Sequence, residues 1–561
     1  MIHSADIPFE DFKSYFSKYS GYSSHQLEIE ASGKLKDFNA LYYKHSTPIF
    51  LLDNIELDEE QYGGLISTIN QLSKDAKLTV INFGNPYNLQ YFDSTMTQIQ
   101  IAERTAITES LAAQLLFGGI DAKGSLPNSI TPHLHYQKSI ATPITRLKYT
   151  IPQEVGIEPS KLVGIDVIMK NAINERATPG GQIMVIKNGK VIYDKSFGHH
   201  TYDKLREVRS SDLFDVASVS KIAATTVASM KLFEEKKFSL NHKVRDHISV
   251  NPKSTLRNIP LKRLFIHASG LQANWPFSKY YLNKDSVDAS GCNEYFCPTE
   301  NGNYTIPIAS NMFFAKNHID SMWENVEQLK LKRIGRFKYS DVNFNLIHRM
   351  IEEKTSMPMD KYLAETFYKP LNLRRTTFNP RDKFKPAYIV PTERDNKWRK
   401  ELVQGFVHDE SAVLLGGVAG SAGLFSTAND LAVLFQMMLN GGTYGNQKYL
   451  DEKTISQFTT PKYGNHRGLG FVVKGSRGAS ALSKKASAKT YGHTGFTGTC
   501  VWVDPKHDLI FIFLSNRIHP DATNRKLFKK QVRRRIHDII YKALDTYETG
   551  EPAMQKVLVE M

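Results

Sequence analysis

ASVSKIAATTVASM, residues 217–230, puts Ser218 three residues ahead of Lys221 and then continues in small and apolar residues. DLFDV (212–216) reads as a strand or loop that feeds a helix starting here. At positions i and i+3 of a helix the two side chains share one face. A hydroxyl at a helix N-terminus also lies among unpaired backbone N–H groups, which favour a developing oxyanion. A partly desolvated lysine beside it is expected to have a lowered pKa, fitting it to take the serine proton. The plain alternative is a serine N-cap next to a surface lysine. Composition alone would give about three Ser-x-x-Lys matches in a chain of this length, and this is the only one.

Two later stretches bear on that pair. GRFKYSDVNFNLIHRMIEE (335–353) carries Tyr339-Ser340-Asp341, and TYGHTGFTGTCVWVD (490–504) carries His493-Thr494-Gly495. A tyrosine phenol can relay a proton where cations stabilise its phenolate; otherwise it merely heads an amphipathic helix. Glycine at the start of a strand permits close approach of the backbone to a ligand; otherwise it marks a turn.

The surroundings of these stretches read as one sheet built from both ends of a domain. GQIMVIKNGKVIYDKSFG (181–198) is two β-rich runs around Asn188-Gly189, a strong hairpin signal. TCVWVDPKHDLIFIFLSN (499–516) repeats the pattern around Asp504-Pro505, and the residues between are mainly helical and loop-like. Upstream, TPIFLLD (47–53) and KLTVINFG (77–84) read as strands. ELDEEQYGGLISTINQLS (56–73) and ERTAITESLAAQLLFGG (103–119) read as helices. Such alternation predicts a parallel α/β unit. The expected organisation is an α/β domain over 1–135, a linker over 136–152 and an α+β domain over 153–561.

At 561 residues the chain is too long for one core. Its hydrophobic content of 41% and charged content of 23% are those of an ordinary folded protein. No apolar run approaches the roughly 20 residues that span a bilayer. The start, MIHSADIPFEDFK, lacks a basic region followed by an apolar one, so no signal peptide is expected in this chain. The net charge is +15, concentrated in LKLKRIGRFK (329–338) and RKLFKKQVRRR (525–535). Such runs suit a polyanion or simply a solvated face. No nucleic-acid motif accompanies them, and nucleic acid is not an expected partner. Of three cysteines, Cys292 and Cys297 are placed to pair in an oxidising compartment, while Cys500 reads as a buried strand residue. His267, His199-His200 and His408-Asp409-Glu410 lack the spacing of a metal motif, so neither metal nor cofactor is expected.

The order and spacing of Ser218-x-x-Lys221, Tyr339-Ser340-Asp341 and His493-Thr494-Gly495 resemble the serine β-lactamase and penicillin-binding-protein superfamily. The likeness is to its class C-like branch, with the DD-peptidases and related esterases, which have Tyr in the middle motif. TPGGQIMVIKNGKVIYDKSFG (178–198), LKRLFIHASGLQ (261–272) and VAGSAGLFSTANDLAVLFQMML (418–439) are similar to that family too, and the likeness covers roughly residues 150–545. It implies Ser218 as acylated nucleophile, Lys221 and Tyr339 sharing base and acid work, and an oxyanion hole from the backbone N–H groups of Ser218 and Phe496. Asp341, His493, Thr494 and Gly495 would line the substrate pocket, with His493 and Thr494 holding a substrate carboxylate or the Tyr hydroxyl.

Two positions depart from that pattern. Asp341 stands where the lactamases typically have Asn, and an ionised acid cannot donate an amide N–H. His493 stands where they have Lys, exchanging a fixed charge for a titratable one. Both weigh against β-lactam hydrolysis and leave ester or peptide acyl transfer open.

VINFGNPYNLQYF (80–92) and AAQLLFGGIDAKGSLPNSI (112–130) resemble the second, α/β sandwich domain of glycoside hydrolase family 3, whose nucleophile lies on a preceding barrel. The whole chain resembles the back portion of a family 3 N-acetylglucosaminidase–β-lactamase fusion, and no glycosidase activity is expected of it. These resemblances imply a serine hydrolase or acyl-transferase acting on small molecules or peptidoglycan fragments. Its place would be the periplasm or cell envelope, with room for peripheral association. The alternatives are a non-catalytic penicillin- or envelope-binding protein and an esterase without lactamase activity. Nothing in the sequence indicates an oligomeric state.

Overall fold

The computed structural model describes residues 2–3, 8–26, 47–275, 287–464, 467–476 and 479–548. The chain forms two compact units, Met1–Tyr149 and Thr150–Met561.

The first unit is built on a parallel sheet. Its strands are β1 (Ile2–His3), β2 (His25–Gln26), β3 (Ile49–Asp53), β4 (Thr79–Phe83) and β5 (Thr97–Ile101), in the order β2-β1-β3-β4-β5. Strands β3 and β4 are apolar almost throughout because helices cover both of their faces. Phe50, Leu52 and Val80 pack with Leu65 and Ile69 of α2 (Glu59–Leu72). Leu51, Ile81 and Phe83 pack with Phe12 and Phe16 of α1 (Glu10–Tyr19) and Ala112 and Ala113 of α3 (Ala106–Phe117). The Asp58 side chain caps α2 by accepting from Gln61 N, and Thr105 caps α3 by accepting from Thr108 N. Strand β5, TQIQI, has no counterpart among the runs read from sequence. It is a partly exposed edge strand, so it needs few apolar residues.

In the second unit six strands form an antiparallel sheet. They are β6 (Gly180–Lys187), β7 (Lys190–Gly198), β8 (Val472–Val473), β9 (Tyr491–Thr494), β10 (Cys500–Asp504) and β11 (Leu509–Ser515), in the order β8-β9-β10-β11-β6-β7. Asn188 and Gly189 turn the β6–β7 hairpin with φ of 53° and 69°, both left-handed, which an Asn-Gly pair accepts at low cost. All of β11 pairs with β6, Leu509 opposite Lys187 through Ser515 opposite Gly181, so the two ends of the unit close one sheet.

Helices cover both faces of that sheet. Ile183, Val185, Trp502, Phe511 and Phe513 pack with Ile165 and Met169 of α4 (Val163–Asn174) and with Ile536 and Ile540 of α8 (Val532–Glu548). The alternate residues, among them Met184, Ile510 and Ile512, are equally buried and point the other way, toward α7 (Ala428–Leu439), which packs on β6 and β11. Cys500 is buried on β10, and Cys292 is disulfide-bonded to Cys297.

The basic run 525–535 is not a uniform solvated face. Arg533 is buried and donates to the carbonyls of Gly498 and Thr499, and Lys530 pairs with Glu175. Among the described residues no helix is long and apolar enough to cross a membrane.

Phe511 sits in the middle of the central strand with none of its surface exposed. Phe511→Ala removes a ring the surroundings cannot refill, so the second unit should lose about 3–5 kcal/mol. Urea denaturation followed by circular dichroism would read this as a lower midpoint; an unchanged midpoint would contradict the packing described.

Candidate active site

A short strand, Phe214–Asp215, pairs antiparallel with Phe425–Ser426 and ends in a sharp turn. Ala217 in that turn has φ of 47°, a conformation that costs energy for a residue with a Cβ. The Asp215 carboxylate holds the turn by accepting from Ala217 N at 2.8 Å and His408 N at 2.9 Å. Ser220 secures it further, donating to Ala217 O at 2.6 Å and accepting from Leu424 N at 3.1 Å. The chain then winds through a tight 3-10 turn (Ala217–Val219) and a wide π turn (Lys221–Thr225) before α5 (Thr226–Glu234) becomes regular. Ser218 therefore stands on a constrained elbow, where the sequence predicts only the head of a continuous helix.

Lys221 is fully buried and its ammonium meets three oxygens. It donates to Ser218 Oγ at 3.0 Å and to Ser421 O at 2.7 Å, and it pairs with Asp341 Oδ1 at 2.6 Å. Tyr339 also donates to Ser218 Oγ, at 3.0 Å. The Tyr339 ring stacks on His267, centroids 4.4 Å apart, and lies 6.1 Å from His493. His267 is set by its own hydrogen bonds: its Nδ1 accepts from Ser340 N at 3.2 Å. Asp341 opens α6 (Asp341–Thr355). The Asn274 amide, with its nitrogen placed by the hydrogen-bonding pattern, donates to Asp341 Oδ2 at 3.2 Å.

The electrostatics reverse one expectation. Burial acts to lower the Lys221 pKa, as the sequence suggests, but the Asp341 carboxylate and Tyr339 outweigh it and the net direction is upward. Lys221 is thus held as an ammonium in the resting site. Burial pushes the Tyr339 pKa up against the opposing pull of Lys221, so the phenol keeps its proton. Asp341, expected as a substrate contact, is engaged by Lys221.

His493 and Thr494 end β9, and Gly495 follows. The His493 side chain turns to its own backbone, Nδ1 2.8 Å from Thr494 O, and is only 2% exposed. Burial, then the positive charges of Arg467 and Lys221, hold its pKa well below the usual histidine value. The titratable charge expected here is therefore absent at neutral pH; the imidazole is neutral because it cannot be hydrated. A Cβ on Gly495 would lie 2.1 Å from Thr499 Oγ1 and 2.6 Å from Val216 O, so only glycine lets this strand run against the Ser218 elbow. The Phe496 ring stacks on His408, centroids 5.3 Å apart, and Arg517 covers it at 4.7 Å. The Phe496 backbone N–H has no partner among the described residues.

Asp215 and Ser421 are not singled out by the sequence, and His267 and His408 come up there only as metal ligands to be rejected. The signal was present in IHASG and VAGSAG, but a serine whose carbonyl, not hydroxyl, does the work leaves no trace in residue type. The histidines and acids weighed for metal are otherwise engaged: His408 Nδ1 pairs with Glu393 at 2.6 Å and His200 Nε2 with Asp212 at 2.8 Å. No group of three or more potential ligands occurs among the described residues. Beside α6 an apolar pocket is lined by Trp275, Met322, Trp323, Val342, Asn345 and Leu415.

Gly495→Ala should force β9 away from the elbow and slow labelling of Ser218 by a fluorophosphonate by about 100-fold or more, a size in keeping with misplacement by an ångström. A labelling rate equal to wild type would show that the close approach is unimportant. His493 gives a second prediction. Its native pKa is depressed, so the unfolded chain binds the proton more readily, and the native state loses stability as pH falls below about 6.5. His493→Gln should remove that share, flattening the change in urea midpoint between pH 7.5 and 5.0; an equally steep change would refute it.

Comparison with known proteins agrees with this fold. The family model described as Beta-lactamase matches residues 165–533. A protein of Salmonella gallinarum described as "Putative D-alanyl-D-alanine carboxypeptidase" is 33% identical over 409 residues, 67% of this chain and 87% of its own length. A protein of Salmonella typhimurium with the same description is 32% identical over 407 residues, with the same two coverages. Among solved structures, the D-amino acid amidase of Ochrobactrum anthropi, complexed with D-phenylalanine, aligns over 69% of this chain and 99% of its own. Its TM-score is 0.50 at 14% identity, which speaks for the fold alone. With the family match spanning most of the second unit, and with relatives a third identical across it, this chain belongs to the beta-lactamase family.

Proposed function

We propose that this chain is a serine acyl-transfer enzyme that forms a covalent acyl-enzyme at Ser218, acting on D-alanyl peptides of the cell wall or on related esters and amides. The observation that carries the reading is Ser218 Oγ held 3.0 Å from both Lys221 Nζ and Tyr339 OH on a constrained elbow. In the first step Ser218 Oγ bonds to the substrate carbonyl carbon, Lys221 takes the Oγ–H proton as it releases one of its own to the carboxylate it pairs with, and the carbonyl oxygen takes up the negative charge. The backbone N–H groups of Ser218 and Phe496 are the donors for that oxyanion. As the tetrahedral centre collapses, the leaving amine or alcohol takes a proton from the Tyr339 side, and water or another acceptor later releases the acyl group. His493, Thr494 and Gly495 form the pocket edge; a neutral His493 contributes shape and not charge.

The description of the Salmonella relatives supports the D-alanyl substrate, and the Asp341 and His493 departures support peptide or ester over β-lactam turnover. The Cys292–Cys297 bond supports an oxidising compartment such as the periplasm. For the first unit we propose the role of a scaffold related to the glycoside hydrolase family 3 α/β domain. The parallel sheet over β1–β5 and the NFGNPYNLQYF stretch support it.

Wild-type protein incubated with a fluorophosphonate or a labelled penicillin should gain one adduct by intact mass, mapping to Ser218. Ser218→Ala should lose the adduct and the turnover of a p-nitrophenyl ester or a D-alanyl-D-alanine peptide by at least 1,000-fold, in line with loss of a covalent nucleophile. No adduct on the wild type with any probe, and sacculus binding unchanged by Ser218→Ala, would make the chain an envelope-binding protein instead.

A further inference from the structure

Lys221 sets a buried nitrogen against a carboxylate and two further oxygens. An ammonium has three N–H donors and no acceptor, whereas a neutral amine has two donors and one lone pair. Around Lys221 Nζ stand three acceptors: Ser218 Oγ, Ser421 O and Asp341 Oδ1 at 3.0, 2.7 and 2.6 Å. The ammonium sets a full positive charge 2.6 Å from the Asp341 carboxylate while donating to Ser421 O and Ser218 Oγ; a neutral amine would leave that carboxylate without a counter-charge. A charge with no exposed surface also needs an ionic partner, since desolvation is otherwise unrecovered. Asp341 supplies that partner, and an amide at the same position would not.

We propose that Asp341 is the ionic partner of Lys221 and the final acceptor of the Ser218 proton, and that it does not bind substrate. This rests on the acyl-enzyme reading above. In the step, Lys221 Nζ passes one proton to Asp341 Oδ1 while Ser218 Oγ passes its own to Lys221 Nζ. Ser218 Oγ bonds to the carbonyl carbon, and the C=O π pair moves to oxygen. The charges before are those of the ammonium and the carboxylate; after, those of the ammonium and the oxyanion, with Asp341 now a neutral acid. When the oxyanion re-forms its C=O, the Asp341 proton returns through Lys221 and Tyr339 to the leaving group, and the resting pair is restored. Asp341 is well placed to hold the pair because its own backbone N–H is tied to Ala273 O at 2.8 Å and its Oδ2 to Asn274.

Several groups face this pair. Tyr339 lies across Lys221, with the ammonium 5.2 Å from its ring, and His267, His493 and Arg467 lie beyond it. Asp409, at the start of the Glu410–Leu414 helix, is buried and shares the field of Asp341 and Lys221; burial, then Asp341 and Glu410, raise its pKa to about 6. The two histidines are neutral, so above that value the acids and Arg467 set the field at the pair.

The test is Asp341→Asn, with Asp341→Glu as the variant that keeps the carboxylate. The Lys221 side-chain nitrogen is followed by 15N NMR in lysine-labelled protein, assigned with Lys221→Arg. Wild type should keep the ammonium to above about pH 10, Asp341→Glu should stay close to it, and Asp341→Asn should titrate at least one unit lower. On a p-nitrophenyl ester, Asp341→Asn should lose about 100-fold in kcat at pH 7 with KM within about twofold. Its activity should recover as pH rises, because a neutral Lys221 can then act as base. A raised KM with kcat and the Lys221 titration unmoved would overturn the proposal and make Asp341 a substrate contact. Failure of the acyl-enzyme reading looks different: turnover survives Ser218→Ala while the Lys221 titration still shifts in Asp341→Asn.

Discussion

A buried ammonium has to be surrounded by acceptors, and the second unit is arranged around that need. Lys221 draws its three oxygens from three places far apart in the chain: its own turn, the first residue of α6 and the 420–424 segment. Meeting all three at 2.6–3.0 Å fixes α5, α6 and that segment relative to one another. Losing Asp341 would leave the Lys221 charge unpaired in a low-dielectric site, a penalty of about 3–5 kcal/mol. Further bonds lock the same junction, from Thr225 to Gly420 O and from Ser421 N to Asn345. The geometry of the candidate site and the packing of this junction are therefore one set of contacts.

The elbow under Ser218 follows the same logic. A left-handed alanine is costly, and it persists because Asp215 over-determines the turn from one side and the Gly495 strand from the other. Asp215 also reaches His408, whose ring lies on Phe496. One carboxylate thus ties the backbone beside the candidate nucleophile to His408, whose ring carries the contact on to the ring of Phe496.

The two departures from the family pattern acquire a physical meaning together. Lys at the position of His493 would place a third cation beside Lys221 and Arg467, both of which already act on that site. A histidine there stays neutral and removes the conflict. Asp at position 341 adds the negative charge that a buried Lys221 lacks. Seen this way the site carries its charges in a different distribution from the familiar one, with Asp341 paired to Lys221 and the strand edge uncharged.

Much of this was legible in the chain by itself. The Asn188-Gly189 turn and the β-rich runs at both ends of the second unit determined one antiparallel sheet built from both ends, because a left-handed turn pair between two such runs admits few other structures. The strand–helix alternation of 47–119 determined a parallel unit, while the polar edge strand TQIQI and the elements before residue 47, β1, α1 and β2, left no such pattern. The spacing of Ser218, Lys221, Tyr339 and His493 marked where chemistry would gather. What the sequence could not hold were the signs of the electrostatic shifts. Whether Lys221 is lowered by burial or raised by a carboxylate depends on 2.6 Å between atoms 120 residues apart, and whether His493 titrates depends on how completely the fold excludes water from it. Residue type sets which groups can carry charge; only tertiary structure, through burial and partner distance, decides which of them do.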